Sequence, residues 1–220
     1  ISAYDLMLSS LPNLVDHFRA QGLRSEFVRL AFEPRVLQHL TATGRQFDIA
    51  FVGGLGGPHT VGTRMLEQLS RHHAVRVWGY GRDRLAPDSP LRAVAGPPLW
   101  GRAMYQALRD ARIVFNRHID VAANYANNMR LYEATGVGTL LLTDRKDNLA
   151  QLFEPGREVV AYGDLEECVA LAAHYLAHPD ERERMAQAGQ ARTLSEHTWA
   201  HRMQEIDRKS TRLNSSHRIR

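Results

Sequence analysis

Residues 127–144 constrain the fold most, because they compress a whole helix-to-strand unit into one short run. Asn127-Asn128 supplies a cap, Met129-Arg130-Leu131-Tyr132-Glu133-Ala134 a short helix, Gly136 its stop, and Leu140-Leu141-Leu142-Thr143-Asp144 a strand. The strand is a continuous apolar run, which marks burial on both faces. Similar units recur after a small, polar stretch at residues 41–46, read as a domain junction. Phe47–Val52 reads as a strand, Thr63–His72 as a helix, Val75–Trp78 as a strand, Gly101–Ala111 as a helix and Ile113–Phe115 as a strand. Past the central unit, Asn148–Phe153 reads as helix and Glu158–Ala161 as strand. Leu165–Ala177, Asp180–Glu196 and Trp199–Ile206 read as helices. Residues 86–98 hold four prolines and read as a loop. Ahead of the junction, residues 4–10 and 26–32 read as strands, Leu14–Ala20 as a helix and Pro34–Leu40 as a short helix. Apolar strands alternating with helices build an α/β fold: a Rossmann-like, doubly wound parallel sheet covered by helices on both faces. Ligands of such sheets bind at the carboxyl ends of the strands.

The residues at those ends are the candidates for chemistry. A helix opening at Asn128 presents free backbone N–H groups that suit an anion such as a diphosphate. Arg130 and Glu133 lie three apart on one helix face, where Arg can meet phosphate and Glu ribose hydroxyls. An ordinary surface ion pair has the same spacing. Asn116-Arg117-His118 follows an apolar strand, and three hydrogen-bonding side chains there suit a site better than a core. Gly53-Gly54-Leu55-Gly56-Gly57 follows the first strand after the junction; counted from Gly54, the third-glycine slot of a dinucleotide fingerprint holds no glycine, so that fingerprint is incomplete. A plain turn is the competing reading of this loop. The pairs His174/His178 and His197/His201 have metal-like i,i+4 spacing but no third ligand beside them, so both read as structural and no metal is expected.

The run from Phe47 to Ile206 resembles the donor-binding half of a GT-B glycosyltransferase, in the group-1-like family that includes the CgeB-type spore-maturation proteins. The resemblance rests on Asn128-Met129-Arg130-Leu131-Tyr132-Glu133-Ala134, on Gly136 and Leu140–Asp144, on Phe153-Glu154-Pro155-Gly156-Arg157-Glu158-Val159-Val160, and on His197-Thr198-Trp199. It covers about three quarters of the chain. It implies transfer of a sugar from a nucleotide-diphosphate sugar to an unknown acceptor, with that sugar nucleotide as substrate and no cofactor. It implies donor contacts from Gly53, Gly54, His59, Arg64, Asn116, His118, Asn128, Arg130 and Glu133, and assigns no catalytic residue. It divides the chain into a remnant of the upstream acceptor domain at 1–44 and the donor domain at 45–206. Such a fragment is expected to be inactive alone. Of the family's two glutamates eight apart, Glu133 matches the second and Tyr125 replaces the first. A non-catalytic nucleotide- or partner-binding module of the same fold is therefore the alternative reading. An epimerase would need carboxylates around the sugar carbon, and no convincing set is seen.

Charge argues against nucleic acid. The net charge is +4, but five of the 28 cations and one of the 24 anions lie in residues 207–220. The first 206 residues therefore carry 23 of each sign and no net charge. The segment 207–217 resembles the translation of a common sequencing-library adapter, so residues 207–220 are expected to be a non-native tail that buries little. Cys168 is the one cysteine, which excludes an internal disulfide and favours a reducing, cytoplasmic setting. No apolar run approaches the ~20 residues that span a bilayer, and the start has no signal-peptide pattern.

Overall fold

The computed structural model describes residues 4–215, with side chains through Ser210. Among these residues the chain forms eight strands and eight α-helices. A two-stranded parallel sheet pairs β1 (Met7–Ser9) with β2 (Ser25–Phe27), bridged by α1 (Pro12–Ala20). The remaining strands form one parallel six-stranded sheet in the order β5-β4-β3-β6-β7-β8. They are β3 (Phe47–Val52), β4 (Val75–Trp78), β5 (Ala95–Gly96), β6 (Ala111–Asn116), β7 (Leu140–Asp144) and β8 (Val160–Tyr162). The helices between them are α2 (Thr60–His72), α3 (Leu91–Val94), α4 (Gly101–Arg109) and α5 (Met129–Gly136). Three more helices follow the sheet: α6 (Leu165–Ala177), α7 (Pro179–Glu196) and α8 (Trp199–Ser215).

Successive residues of a strand point to opposite faces, so a strand apolar at every position feeds two cores. Ile49, Ile113, Phe115, Leu140 and Leu142 pack on one face with Leu66 and Leu69 of α2 and Cys168 and Ala172 of α6. Ala50, Val114 and Leu141 pack on the other with Leu108 of α4 and Leu131 and Ala134 of α5. This is the expected parallel α/β sheet covered on both sides.

The junction is fastened to the sheet domain. Arg45 donates to the carbonyls of Arg109 and Gly138, each at 2.7 Å, and pairs with Glu183 at 2.9 Å. The segment before it is already part of the second core: Phe32 is fully buried, and a Cβ on Gly136 would lie 2.4 Å from its ring. Phe32 also exchanges backbone hydrogen bonds with His197 O and Trp199 N.

Several expected elements differ. The loop expected at 86–98 contains α3 and β5, because Ala95 and Gly96 pair with Val77 and Trp78 at the sheet edge. A two-residue strand carries no periodicity to read. The helix ending at Ala111 stops at Arg109, and β6 starts at Ala111. The turns at Pro34–His39 and Leu149–Gln151 are 3₁₀, and the last strand is shifted to Val160–Tyr162. Helix α8 runs to Ser215, through the start of the expected tail; Lys209 pairs with Glu205 at 3.3 Å and also donates to the carbonyl of Phe27. Residues 216–220 lie outside the described residues.

Candidate functional site

Strand order decides where a cleft opens. The chain goes from β3 outward to β4 and β5, then returns to the other side of β3 for β6, β7 and β8. The loops leaving β3 and β6 diverge at that switch point, and a crevice forms between them. A cavity of about 440 Å³ lies there. That size lies within the range of small-ligand sites.

Four stretches supply its polar wall. Gly53 and Gly54 follow β3, and a side chain at either would have to displace a ring: a Cβ would lie 2.7 Å from the Phe51 ring at Gly53 and 2.5 Å from the His59 ring at Gly54. Positive φ falls later in the loop, at Gly56 (66°) and Gly57 (52°). His59 comes next and meets the Tyr80 hydroxyl at 3.4 Å. Burial, and then the charge of Arg84, holds the His59 imidazole below its usual range. Asn116, Arg117 and His118 follow β6, and Asn128, Met129 and Arg130 form the start of α5.

The amides are locked to one another. Asn128 accepts from Leu131 N at 3.2 Å as the helix cap and donates to Asn116 Oδ1 at 2.9 Å; Asn116 donates to Thr143 Oγ1 at 2.9 Å. Asn127 reaches further, donating to Ser10 O and Val28 O and accepting from Leu30 N and the Tyr132 hydroxyl, all at 3.0 Å. It fastens the N-terminal segment to the sheet domain, and Ser10, Leu11 and Leu30 thereby become cavity wall.

Arg130 lies on the wall but is spoken for. It donates to Val52 O at 2.9 Å and pairs with Glu133 Oε2 at 2.7 Å. Glu133 is 6% exposed and sits behind Arg130, outside the lining of the cavity. Burial pushes its carboxyl up, and Arg130 offsets that only in part, so it stays above its ordinary value. The pair is thus buried, which neither the ligand reading nor the surface-pair reading of the sequence anticipated. Arg64 is exposed on α2 and Tyr125 is exposed before α5; neither lines the cavity.

His118 is 2% exposed. Its backbone N–H and its ring Nδ1 both meet Asp144 Oδ1, at 3.0 and 2.7 Å. Asp144 Oδ2 takes Lys146 at 3.3 Å. Burial pushes the Asp144 carboxyl up, but the bonds from His118 and the charge of Lys146 bring it below its ordinary value. Asp144 was read in the sequence only as the end of a strand and not as a site residue; its place at the carboxyl end of that apolar strand was the available signal. Trp78, Leu99, Trp100 and Met104 form an apolar wall that was also missed, with Trp100 74% exposed at the mouth. The Pro97-Pro98-Leu99-Trp100 run was the clue there.

The four histidines of the two i,i+4 pairs make hydrogen bonds within the fold. His174 pairs with Glu181 at 2.9 Å and His178 donates to His174 O at 2.7 Å. His197 Nε2 donates to Leu152 O at 2.8 Å and His201 meets Thr198 Oγ1 at 2.7 Å. Among the described residues no cluster of three or more His, Cys, Asp or Glu is placed to hold a metal ion, and no helix is long and apolar enough to cross a membrane.

Residues 60–208 match the model of a family described as glycosyl transferase-like. The fold is similar to that of sucrose-phosphate synthase from Thermosynechococcus elongatus, at a TM-score of 0.67 and 12% identity, over 96% of this chain and 59% of that one. It is also similar to Anabaena Alr3699/HepE in complex with UDP-glucose, at a TM-score of 0.71 and 11% identity, over 94% and 64%. The pneumococcal O-GlcNAc transferase GtfA, in complex with UDP and GlcNAc, matches at 0.61 and 10%, over 95% and 45%. The chain spans about three fifths of the first two structures. A search of curated protein sequences found no match. The expected Rossmann-like fold is that of GT-B glycosyltransferase structures.

Proposed function

Because the chain belongs to the glycosyl transferase-like family, we propose that its cavity holds the nucleotide diphosphate of a sugar donor. The observation that carries this reading is the meeting of the Gly53-Gly54 loop, the Asn116–His118 loop and the start of α5 around one cavity at the switch point. A helix start and fixed cations favour a diphosphate, whose negative charge grows as the sugar leaves. Arg130 faces the diphosphate in this reading, with Asn116, His118, His59 and the two glycines around it and Glu133 as the anchor of Arg130. The ribose contact first expected of Glu133 would require it to leave that anchor. Arg64 contributes only through a bound ligand that extends past the lining. The reading includes the CgeB-type branch, a donor domain at 45–206 beneath an acceptor domain to which 1–44 belongs, a foreign origin for 207–220, a cytoplasmic setting and catalysis without cofactor or metal.

One feature favours binding without turnover: Tyr125 replaces the family's first glutamate and stays outside the cavity. Both readings require diphosphate binding. Titration calorimetry of the chain with UDP, GDP and ADP is expected to give one-to-one binding of one of them with Kd on the order of 10–500 μM, about 4.5–7 kcal/mol. No heat with any of the three at millimolar concentration rejects the donor-site reading.

A further inference from the structure

The cavity wall holds cations, but its strong ones are already matched. Arg117 pairs with Asp120 at 3.3 Å and Arg130 with Glu133 at 2.7 Å. Just behind the wall, Lys146 pairs with Asp144 at 3.3 Å. A diphosphate arriving there brings two or three negative charges to a wall of near-neutral pairs. Two lining imidazoles remain, and burial together with Arg84 disfavours a charge on His59. His118 is built differently. The Asp144 carboxylate accepts from both its backbone N–H and its Nδ1, which fixes the Nδ1–H tautomer and the ring's orientation. Its Nε2 is buried and has no partner. A buried polar atom of this kind calls for a partner that arrives with something else. The other charged and titratable groups around it are Arg117, which donates to His118 O at 2.9 Å, and Tyr162, whose hydroxyl donates to Asn116 O at 2.9 Å.

We propose that His118 takes up a proton when the diphosphate binds and donates it from Nε2 to a phosphate oxygen, with Asp144 as the positioning residue that holds the ring. The proposal rests on the donor-site reading above. Protonation gives the wall the positive charge its ion pairs lack, and the Asp144 carboxylate stabilises the imidazolium through Nδ1. The ring returns its proton to solvent when the diphosphate departs.

The test is calorimetry of the chain with UDP at pH 8, in two buffers of different ionisation heat; GDP and ADP replace UDP if UDP gives no heat. At pH 8 an isolated imidazole is mostly neutral, and a terminal phosphate is past its second ionisation near pH ~6. Uptake of about one proton per nucleotide bound is expected. His118→Gln should abolish the uptake and weaken binding roughly tenfold or more. Asp144→Asn keeps an oxygen that accepts from Nδ1 but removes the charge, so it should reduce the uptake while ¹⁵N spectra of the ring still show the Nδ1–H tautomer; a purely structural role would leave the uptake intact. Nucleotide binding by the wild type without proton uptake overturns this proposal and leaves the donor site standing. Uptake retained in His118→Gln also overturns it. Failure of all three nucleotides to bind overturns both readings.

Discussion

Glu133→Ala is expected to destabilise the folded chain by about 3–5 kcal/mol, the cost of leaving one member of a buried ion pair alone. The carboxylate and the Arg130 guanidinium meet at 2.7 Å, with side chains only 7% and 15% exposed. Without Glu133, Arg130 keeps its bond to Val52 O but loses the opposite charge that offsets its burial. A glutamate that served only to hold a ligand would behave in the opposite way, since removing a functional carboxylate from a site costs the empty fold little. Denaturant unfolding of the chain without nucleotide separates the two. Replacing both partners, with Arg130→Met and Glu133→Leu together, should recover most of the loss, because an apolar pair of similar volume needs no compensation. A single variant within about 1 kcal/mol of wild type would show that water screens the pair, as at an exposed site.

Acid should weaken the fold through His197, which is fully buried between Tyr132 and Phe153, with ring centroids 5.3 and 5.0 Å away. Burial holds its imidazole down to about 4, against 6.5 in the open chain, even though the bond to Leu152 O works the other way. The unfolded chain therefore binds a proton between those values and the folded chain does not. The stability from this group is fully present above pH ~6.5, and it is lost as pH falls from there towards ~4, by about 3 kcal/mol in all. Unfolding free energies measured from pH 7.5 to 4.5 should show this loss. His197→Gln, whose amide can still donate to Leu152 O, should flatten the dependence across that window. A slope unchanged in the variant would assign the acid sensitivity to other groups.

The fold was legible where a strand or helix had enough residues to show its period. β3, β4 and α6 fall where the apolar pattern put them, at Phe47–Val52, Val75–Trp78 and Leu165–Ala177. β5 was hidden because two residues among prolines have no pattern, and its place comes from pairing with β4. The position of the cleft was legible too, since alternation alone places ligands at strand ends. Burial of individual side chains was not. The i,i+3 spacing of Arg130 and Glu133 is the same on a wet face and a dry one, and only the packing of α5 against α4 and α7 makes it dry. Asp144 and Asn127 were obscure for a related reason. Apart from Tyr132 and Lys146, their partners are His118, Ser10, Val28 and Leu30, far away in sequence, and no local window holds both ends of such a bond.

A crystal structure of the chain grown with the nucleoside diphosphate that binds in solution tests the central claim most directly. The diphosphate should lie in the cavity between β3 and β6, with oxygens within ~3 Å of backbone N–H groups at the start of α5 or the Gly53-Gly54 loop. The base should rest against the Trp78, Leu99 and Trp100 wall. A nucleotide seated elsewhere, such as the groove beside Gln68, His72 and Val169, with the cavity left empty, would contradict the account.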